Sequence, residues 1–304
     1  MLIKKLYHSS IKYTKQLKFL EPERVPIPEY QVISMNGEIL EESGDVELSK
    51  EISVRMHQTM VKLSVMDQIL YDAQRQGRIS FYITNTGEEA CQVGSSQALL
   101  KHDHIFGQYR EAGVLMHRGF TFQQFLDQCF GNVRDLGKGR QMPVHYGSRE
   151  LNFYTISSPL GTQIPQAAGL AYGLKDNKEK PIVICYFGEG AASEGDFHAG
   201  LNMAAVFSSP VIFFCRNNGY AISTSTNEQY KGDGIVVRGS GYGIPSIRVD
   251  GNDILAVHQV VKVARERCLT DQRPVLIEAM TYRIGHHSTS DDWSSYRDKK
   301  VFAF

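Results

Sequence analysis

Residues 181–220 read PIVICYFGEGAASEGDFHAGLNMAAVFSSPVIFFCRNNGY, and their pattern of apolar and small residues indicates the fold class. Two apolar runs, Pro181–Phe187 and Val211–Cys215, have the length of buried strands. The segment between them, Glu194–Phe207, carries apolar residues at helical spacing. A strand, a helix and a second strand form a crossover unit in which the two strands lie side by side and parallel. The stretch therefore predicts the centre of a parallel sheet.

Further helices and strands are predicted on both sides of this stretch. Downstream, Ile247–Val249 and Pro274–Met280 predict strands, and Asp253 can cap a helix over Ile254–Leu269. Upstream, apolar residues at helical spacing predict a helix over Ile52–Gln76, with Gly77 as its C-terminal cap. Further helices are predicted at Glu88–Lys101, Thr121–Phe130 and Gln163–Leu174, with a long loop at Gly131–Pro143. This order predicts an α/β fold with a largely parallel sheet and helices on both faces.

Composition excludes several classes of protein. The chain has 304 residues with 33 basic and 33 acidic side chains, which argues against a general nucleic-acid binder. The longest apolar runs are strand-length, well short of the roughly 20 residues that a membrane helix needs. The five cysteines are scattered and form no CxxC pair, which argues for a reducing compartment and against a structural zinc. Cys185 and Cys215 lie inside apolar strands and are expected to be packing residues.

The N-terminal region differs from the rest. Residues 1–20 contain five lysines and no acid, which is typical of a mitochondrial presequence, and the alternative is a basic, frayed terminus. Residues 21–50 are rich in proline and then in acidic and polar side chains, and they predict an extended N-terminal arm. Residues 51–304 are predicted to form one α/β domain.

Polar residues follow both central strands at their carboxyl ends, where open α/β sheets bind ligands. The first strand leads into Gly188–Ala192, where small residues allow a phosphate to approach the backbone and Glu189 offers a carboxylate. The second leads into an Asn-Asn pair, where the Asn218 side chain and the Tyr220 carbonyl offer oxygens of the kind that Mg²⁺ binds. The spacing predicts a diphosphate–Mg²⁺ site. Ordinary turns, or a nucleotide fold with another ligand, are the alternatives, and no G-x-G-x-x-G is present.

These segments resemble a known family. GEGAASEGD and FFCRNNGYAIST resemble the thiamin diphosphate motif of the 2-oxo acid dehydrogenase complexes. RQGRISFYITNTGEEA, FGQYREAGVLM, DLGKGRQMPVHYG, ISSPLGTQIPQA and EAMTYRIGHHSTSDD narrow the resemblance to the α subunits of the branched-chain type, the decarboxylating first component. The resemblance covers about residues 20–298 and implies a thiamin diphosphate-binding fold. Such subunits usually continue further, so this chain is expected to lack the usual C-terminal region.

The resemblance also implies roles for individual residues. It implies Mg²⁺ binding by Glu189, Asn218 and Tyr220. It implies a K⁺ loop formed by Ser157, Pro159, Thr162 and Gln163. It implies contacts to thiamin diphosphate from Gln108, Tyr109, Arg110, Ser158, Leu160, Gly190, Ala191, Arg216 and His287, with the arginines facing the diphosphate. It implies catalytic roles for His287, Tyr109 and Ser158, and an acyl pocket lined by Leu160 and Tyr109.

Simpler interpretations exist for some of these residues. Arg110 is followed by Glu111, and the two could form an ordinary surface ion pair. The second residue of His286–His287 could be a solvated loop histidine, and residues 157–163 could be a polar turn leading into a helix.

The resemblance implies partners and regulation as well. It implies an α2β2 heterotetramer in the mitochondrial matrix, in which the β subunit supplies the carboxylate for the aminopyrimidine ring. It further implies a lipoyl-bearing acyltransferase core, and a kinase and phosphatase acting on Ser288. The segment Tyr282–Arg297 has almost no apolar anchor except Trp293, so it is predicted to be a loop with little burial. Asp298 stands where relatives often carry a second serine.

Three hypotheses follow. The first is an α subunit that acts on branched-chain 2-oxo acids. The second is a pyruvate- or acetoin-type α subunit, which GEG in place of GDG and the segment RIGHHSTSDD disfavour. The third is a truncated, non-catalytic chain that still binds a partner.

Overall fold

The computed structural model describes residues 14–19, 21, 26–40 and 48–298. In this part of the chain a seven-stranded sheet has every neighbouring pair of strands parallel. The strands in chain order are β1 Glu29–Tyr30, β2 His104–Phe106, β3 Phe153–Tyr154, β4 Val183–Gly188, β5 Val211–Asn217, β6 Tyr220–Ala221, β7 Thr224–Ser225, β8 Ser246–Asp250 and β9 Val275–Met280. The sheet order is β1-β8-β9-β5-β4-β2-β3, and β6 pairs with β7 as a separate antiparallel hairpin. The predicted α/β class with a parallel sheet is confirmed.

Helices connect the strands of the sheet. Their bounds are α1 Lys50–Arg75, α2 Glu89–Gln97, α3 Ala112–His117, α4 Phe122–Cys129, α5 Gln163–Gly173, α6 Gly195–Val206, α7 Thr226–Gln229, α8 Arg238–Gly241 and α9 Ile254–Thr270. The caps explain several ends: Ser49 caps α1, and Asp253 caps α9 through the N–H groups of Leu255 and Ala256. Gly77, at φ 71°, closes α1 by donating to the carbonyl of Gln74, so the predicted glycine cap is confirmed. No helix in the described ranges is both long and apolar enough to cross a membrane.

The core lies on both faces of the sheet. Alternate residues of the central strands enter opposite apolar clusters: Ile184 and Phe214 lie in one, and Cys185, Phe213 and Cys215 lie in the other. Both faces of β4 and β5 are therefore covered, as parallel sheets require. The two cysteines are fully buried packing residues, as predicted.

Some boundaries differ from the sequence predictions. Helix α2 ends at Gln97 rather than near Lys101, because the Asp103 carboxylate captures the backbone N–H of Leu100 at 2.7 Å and holds a turn there. Strands β2 and β3 and helix α3 were not predicted. They are two to six residues long, too short for hydrophobic periodicity to reveal.

The N-terminal arm contributes to the sheet. Strand β1 pairs in parallel with β8 at the edge, with Glu29 opposite Arg248. Asp253 accepts hydrogen bonds from the backbone of Val32 and Ile33 at 2.6 and 2.7 Å, which ties the arm to the start of α9. Most of residues 1–20, where the presequence is predicted, lies outside the described residues.

Candidate cofactor and metal site

The predicted site residues follow the carboxyl ends of five strands. Because all these strands are parallel, their ends lie along one edge of the sheet. In sheet order the segments are 281–297 after β9, 217–220 after β5, 188–191 after β4, 107–111 after β2 and 155–163 after β3.

Direct contacts join these segments. Gln108 accepts a hydrogen bond from the backbone N–H of Gly188 at 2.9 Å. The Arg110 guanidinium donates to the carbonyl of His287 at 3.0 Å, and the Tyr109 ring meets the His287 ring edge-on at 5.7 Å between centroids. The predicted cofactor residues from β2, β4 and β9 are therefore brought together.

Glu189 is the most unusual acid of this edge. It is 2% exposed, and its Oε1 is buried with no hydrogen-bond partner among the described residues. Burial raises the pKa of its carboxyl, although the backbone of Asn218 and the side chain of Gln229 act in the opposite direction. A buried carboxylate oxygen without a partner is costly, and a cation would satisfy it.

Asn218 and Tyr220 lie in the turn beside Glu189. The Asn218 Oδ1 lies 3.2 Å from the backbone N of Tyr220, so the turn folds the amide oxygen back toward the hairpin. Nowhere in the described part of the chain do three or more His, Cys, Asp or Glu side chains gather as a metal site. A metal held here would therefore need amide and backbone oxygens besides the one carboxylate, which is the ligand chemistry of Mg²⁺.

Gly190 is closely packed against the hairpin. A Cβ at position 190 would lie 2.7 Å from Cβ of Ala221, next to Tyr220. The segment that carries Glu189 and the hairpin that carries Tyr220 can approach each other this closely only because residue 190 is glycine.

We expect Gly190→Ala to destabilise the protein by about 1–3 kcal/mol, because the added methyl overpacks this contact. Urea unfolding measures the loss. Gly195→Ala is the matched control: a Cβ there meets nothing within 4 Å, so helix propensity should make it neutral or stabilising by up to about 1 kcal/mol. Equal unfolding midpoints for the two variants would contradict the close contact.

Buried arginines surround the candidate diphosphate position. Arg110 is 1% exposed, and burial lowers its pKa. The suggested surface ion pair between Arg110 and Glu111 is wrong, because Glu111 instead binds Arg216, with 2.6 Å between the closest atoms. The Arg216 guanidinium lies between Glu111 and Glu88, so a direct role at a diphosphate stays a prediction.

His287 has a defined protonation state. Burial, together with the positive charges of Arg110 and Arg283, lowers its pKa to about 3. Nη1 of Arg283 lies 3.1 Å from Nδ1 of His287. A guanidinium only donates, so Nδ1 accepts and the neutral ring carries its hydrogen on Nε2. His287 can therefore donate a hydrogen bond from Nε2 at physiological pH. The interpretation as a freely solvated histidine is wrong.

Ser158 and the predicted K⁺ loop occupy the far end of the edge. His145 lies with Nδ1 3.0 Å from the Pro143 carbonyl and Nε2 2.8 Å from Oγ of Ser158. The carbonyl only accepts, so Nδ1 carries a hydrogen; in the neutral form of the ring Nε2 then accepts a hydrogen bond from the Ser158 hydroxyl, which leaves the Ser158 oxygen as an acceptor. In the loop itself, the Thr162 hydroxyl donates to the Pro159 carbonyl at 3.2 Å.

The remaining loop residues have mixed environments. The Gln163 amide nitrogen donates to the carbonyl of Tyr186 at 3.2 Å, which leaves its oxygen for other contacts. Ser157 is half-buried, and Leu160 is 40% exposed. The predicted acyl-pocket role of Leu160 stays a prediction.

The loop after β9 is better anchored than its sequence predicts. Arg283, Ser288, Thr289 and Arg297 are all buried. Thr289 exchanges hydrogen bonds with the backbone of Tyr82 at 3.0 and 3.1 Å. The prediction of little burial is therefore wrong. Polar contacts to the segment before α2 replace the missing apolar anchor.

Four residues of this region were missed by the sequence analysis: Glu88, Glu111, His145 and Gln229. Glu88 and Glu111 are buried acids that bind Arg110 and Arg216. Burial alone would raise the pKa of Glu88, but the charges of Arg216 and Arg110 hold that pKa below its usual value. Gln229 has a buried amide oxygen without a partner among the described residues, 3.9 Å from a Cβ built at Gly190. Glu88, Glu111 and His145 lie in segments that carry the family resemblance, but nothing in those segments singles them out, so only the fold reveals their contacts.

Comparison with known proteins identifies the family of this chain. The family model described as "Dehydrogenase E1 component" matches residues 57–303. The chain is 60% identical over 290 residues to "2-oxoisovalerate dehydrogenase subunit alpha, mitochondrial" of Homo sapiens, which covers 95% of this chain and 65% of that protein. The subunit alpha 1 protein of Arabidopsis thaliana is 57% identical over 94% of this chain and 61% of its own length. The Caenorhabditis elegans protein is 56% identical over 97% of this chain and 68% of its own.

The chain thus spans about two thirds of the length of these relatives. Their names are those of mitochondrial subunits, which supports a mitochondrial location. With the family model covering most of the chain and the relatives aligned over nearly all of it, the chain belongs to the dehydrogenase E1 component family.

Proposed function

We propose that this chain is the α subunit of a thiamin diphosphate-dependent dehydrogenase for branched-chain 2-oxo acids in the mitochondrial matrix. It would take part in oxidative decarboxylation and acyl transfer to lipoyl groups. The main observation in favour of this proposal is that Oε1 of Glu189 is buried without a hydrogen-bond partner among the described residues. It lies beside the Asn218 turn at the carboxyl edge of the sheet. The names of the relatives support the substrate class.

The donor set fits Mg²⁺ and a diphosphate. Glu189, the Asn218 amide oxygen and the Tyr220 carbonyl would hold the cation. Gly190 and Ala191 precede α6, whose first N–H groups suit a phosphate. The Nε of Arg110 is buried without a hydrogen-bond partner in the described part of the chain and lies 3.7 Å from Oε1 of Glu88, so this carboxylate balances the charge that Arg110 would present to a diphosphate.

Thiamin diphosphate, when bound, supplies the electron sink for decarboxylation. The chain's own residues would bind and orient the cofactor and the substrate, and they would exclude water from the site. Neutral His287 would donate from Nε2 to a negatively charged group of the substrate, and the edge-on Tyr109 ring would hold its orientation. Ser158 would accept a hydrogen bond from the ligand, because its own hydroxyl hydrogen would be donated to Nε2 of neutral His145.

A K⁺ ion would be bound by oxygens of Ser157, Pro159, Thr162 and Gln163. Two of these, the Thr162 hydroxyl and the Pro159 carbonyl, already lie 3.2 Å apart. The loop would brace the segment that carries Ser158 and Leu160. The remaining predicted contacts to the cofactor would come from Gln108 and Arg216, which also hold Gly188 and Glu88.

The proposal includes several partners. A β subunit would complete an α2β2 heterotetramer, and a lipoyl-bearing acyltransferase core would accept the acyl group. A kinase and a phosphatase would control Ser288. In the corresponding domain organisation, residues 1–20 form a presequence, residues 21–50 an arm and residues 51–304 the cofactor-binding domain.

We expect the purified chain alone to show no decarboxylation, even with saturating thiamin diphosphate and Mg²⁺, because the carboxylate for the aminopyrimidine would come from the β subunit. Co-expression with a β subunit should give turnover of 3-methyl-2-oxobutanoate. A preference for pyruvate would instead support the pyruvate-type alternative. Assembly without turnover would support the non-catalytic alternative, and turnover by the lone chain would overturn the obligate partnership.

A further inference from the structure

Glu88 lies directly before α2, and its side chain is fully buried at 0% exposure. Its Oε1 accepts a hydrogen bond from Nδ2 of Asn218 at 2.7 Å and lies 3.7 Å from Nε of Arg110. Its Oε2 forms an ion pair with Arg216. One buried carboxylate therefore touches a candidate metal ligand and both candidate diphosphate arginines.

This contact decides which way the Asn218 amide faces. The nitrogen and oxygen of an amide have nearly the same shape, so the group can turn by 180° unless its partners distinguish them. A carboxylate only accepts, so Glu88 requires the NH₂ group on its own side. The oxygen then faces away from Glu88, where it also meets the backbone N–H of Tyr220. The reversed amide would present NH₂ to a cation and repel it.

We propose that Glu88 is a positioning residue of the metal site, whose carboxylate holds the Asn218 amide with its oxygen available to a divalent cation. This inference rests on the proposed function, since it assumes that Asn218 binds Mg²⁺ beside the diphosphate. Glu88 acts through Asn218 and does not itself reach the cation.

Two substitutions remove this requirement in different ways. Glu88→Asp keeps the charge that balances the arginines but withdraws the carboxylate from Asn218 by one methylene. Glu88→Gln keeps the length but places an NH₂ group at one of two positions that both face donors, so it no longer requires the Asn218 NH₂ on its own side. Arg216 keeps its contact with Glu111 in both variants, which favours correct folding.

The test is calorimetric titration of Mg²⁺ at saturating thiamin diphosphate, with the full chain assembled with its β subunit. If Glu88 positions Asn218, Glu88→Asp and Glu88→Gln should each weaken Mg²⁺ binding about 10- to 100-fold, the range for partners of metal ligands. Glu89→Asp is the matched control. The Glu89 carboxylate accepts a hydrogen bond from the backbone N–H of Gly87 at 2.8 Å. The Mg²⁺ affinity of the Glu89→Asp variant should therefore equal that of the wild type.

A double-mutant cycle with Asn218→Ala completes the test. Glu88→Asp should add little to the loss already caused by Asn218→Ala, because the two act in series. Full additivity, or wild-type Mg²⁺ affinity in either Glu88 variant, would overturn the inference. Absence of Mg²⁺-dependent cofactor binding in the wild type would instead overturn the proposed function, so the two failures are distinct.

Discussion

Glu189→Ala, assembled with the β subunit, should lose Mg²⁺-dependent binding of thiamin diphosphate and nearly all decarboxylation. The change removes the one buried carboxylate oxygen of this edge that lacks a partner in the described residues. Without it, the diphosphate charge beside a cation is less completely neutralised. We expect Mg²⁺ affinity to fall by more than about 100-fold, beyond the range typical of residues that only support a ligand.

The measurement is cofactor retention as a function of Mg²⁺ concentration. Glu189→Gln should give an intermediate loss, since it keeps the shape and one neutral oxygen. Glu179→Ala, an exposed acid in the turn before β4, should bind cofactor as the wild type does. Unchanged Mg²⁺ dependence in assembled Glu189→Ala would show that the metal site is elsewhere.

Ser288→Glu should abolish turnover, by more than about 100-fold, while leaving the fold intact. Ser288 is 8% exposed and follows His287 directly. Its carbonyl accepts the Asp291 N–H, and the Asp291 carboxylate accepts the His287 N–H at 2.7 Å. A negative charge at Ser288 would be buried next to Asp291 and would break this local structure.

Phosphorylation should act in the same way, since a phosphoserine adds about −1.5 to −2 charge. Because Ser288 is buried, the proposed kinase would reach it only when the loop opens, and the phosphate would then keep the loop from closing. The loop positions His287 and its carbonyl against Arg110, so an open loop would also remove these contacts from the cofactor site. Regulation would therefore work through the order of the loop.

Activity assays with 3-methyl-2-oxobutanoate and circular dichroism measure the two parts of this prediction. Ser290→Glu is the matched control, because Ser290 is exposed two residues further along and should tolerate the charge. Asp298→Ala should not relieve inhibition by the kinase, since control is expected at Ser288 alone. Full activity of Ser288→Glu, with cofactor occupancy verified, would refute the regulatory proposal.

The sequence was most informative where local patterns carry the information. The long apolar runs at residues 181–187 and 211–215 predicted the central parallel pair, because a strand buried on both faces must be apolar throughout. The Gly-Glu-Gly and Asn-Asn turns then located candidate ligands at the carboxyl edge, because parallel strands end on the same side. The cap residues at Gly77 and Asp253 fixed two helix ends, since capping is a short-range interaction.

The tertiary structure decided what depends on contacts between distant segments. Glu88 reaches Asn218 across 130 residues of sequence, and Glu111 reaches Arg216 across 105, so no local pattern reveals that these acids orient the site. The loop after β9 looked unanchored in sequence, yet its backbone pairs with Tyr82, 207 residues away. The amino-acid sequence was therefore enough to predict the long central strands, the turns that follow them and the family resemblance. Only the fold, by burying charges that must then be paired, determined which groups face the ligand and which hold those groups in place.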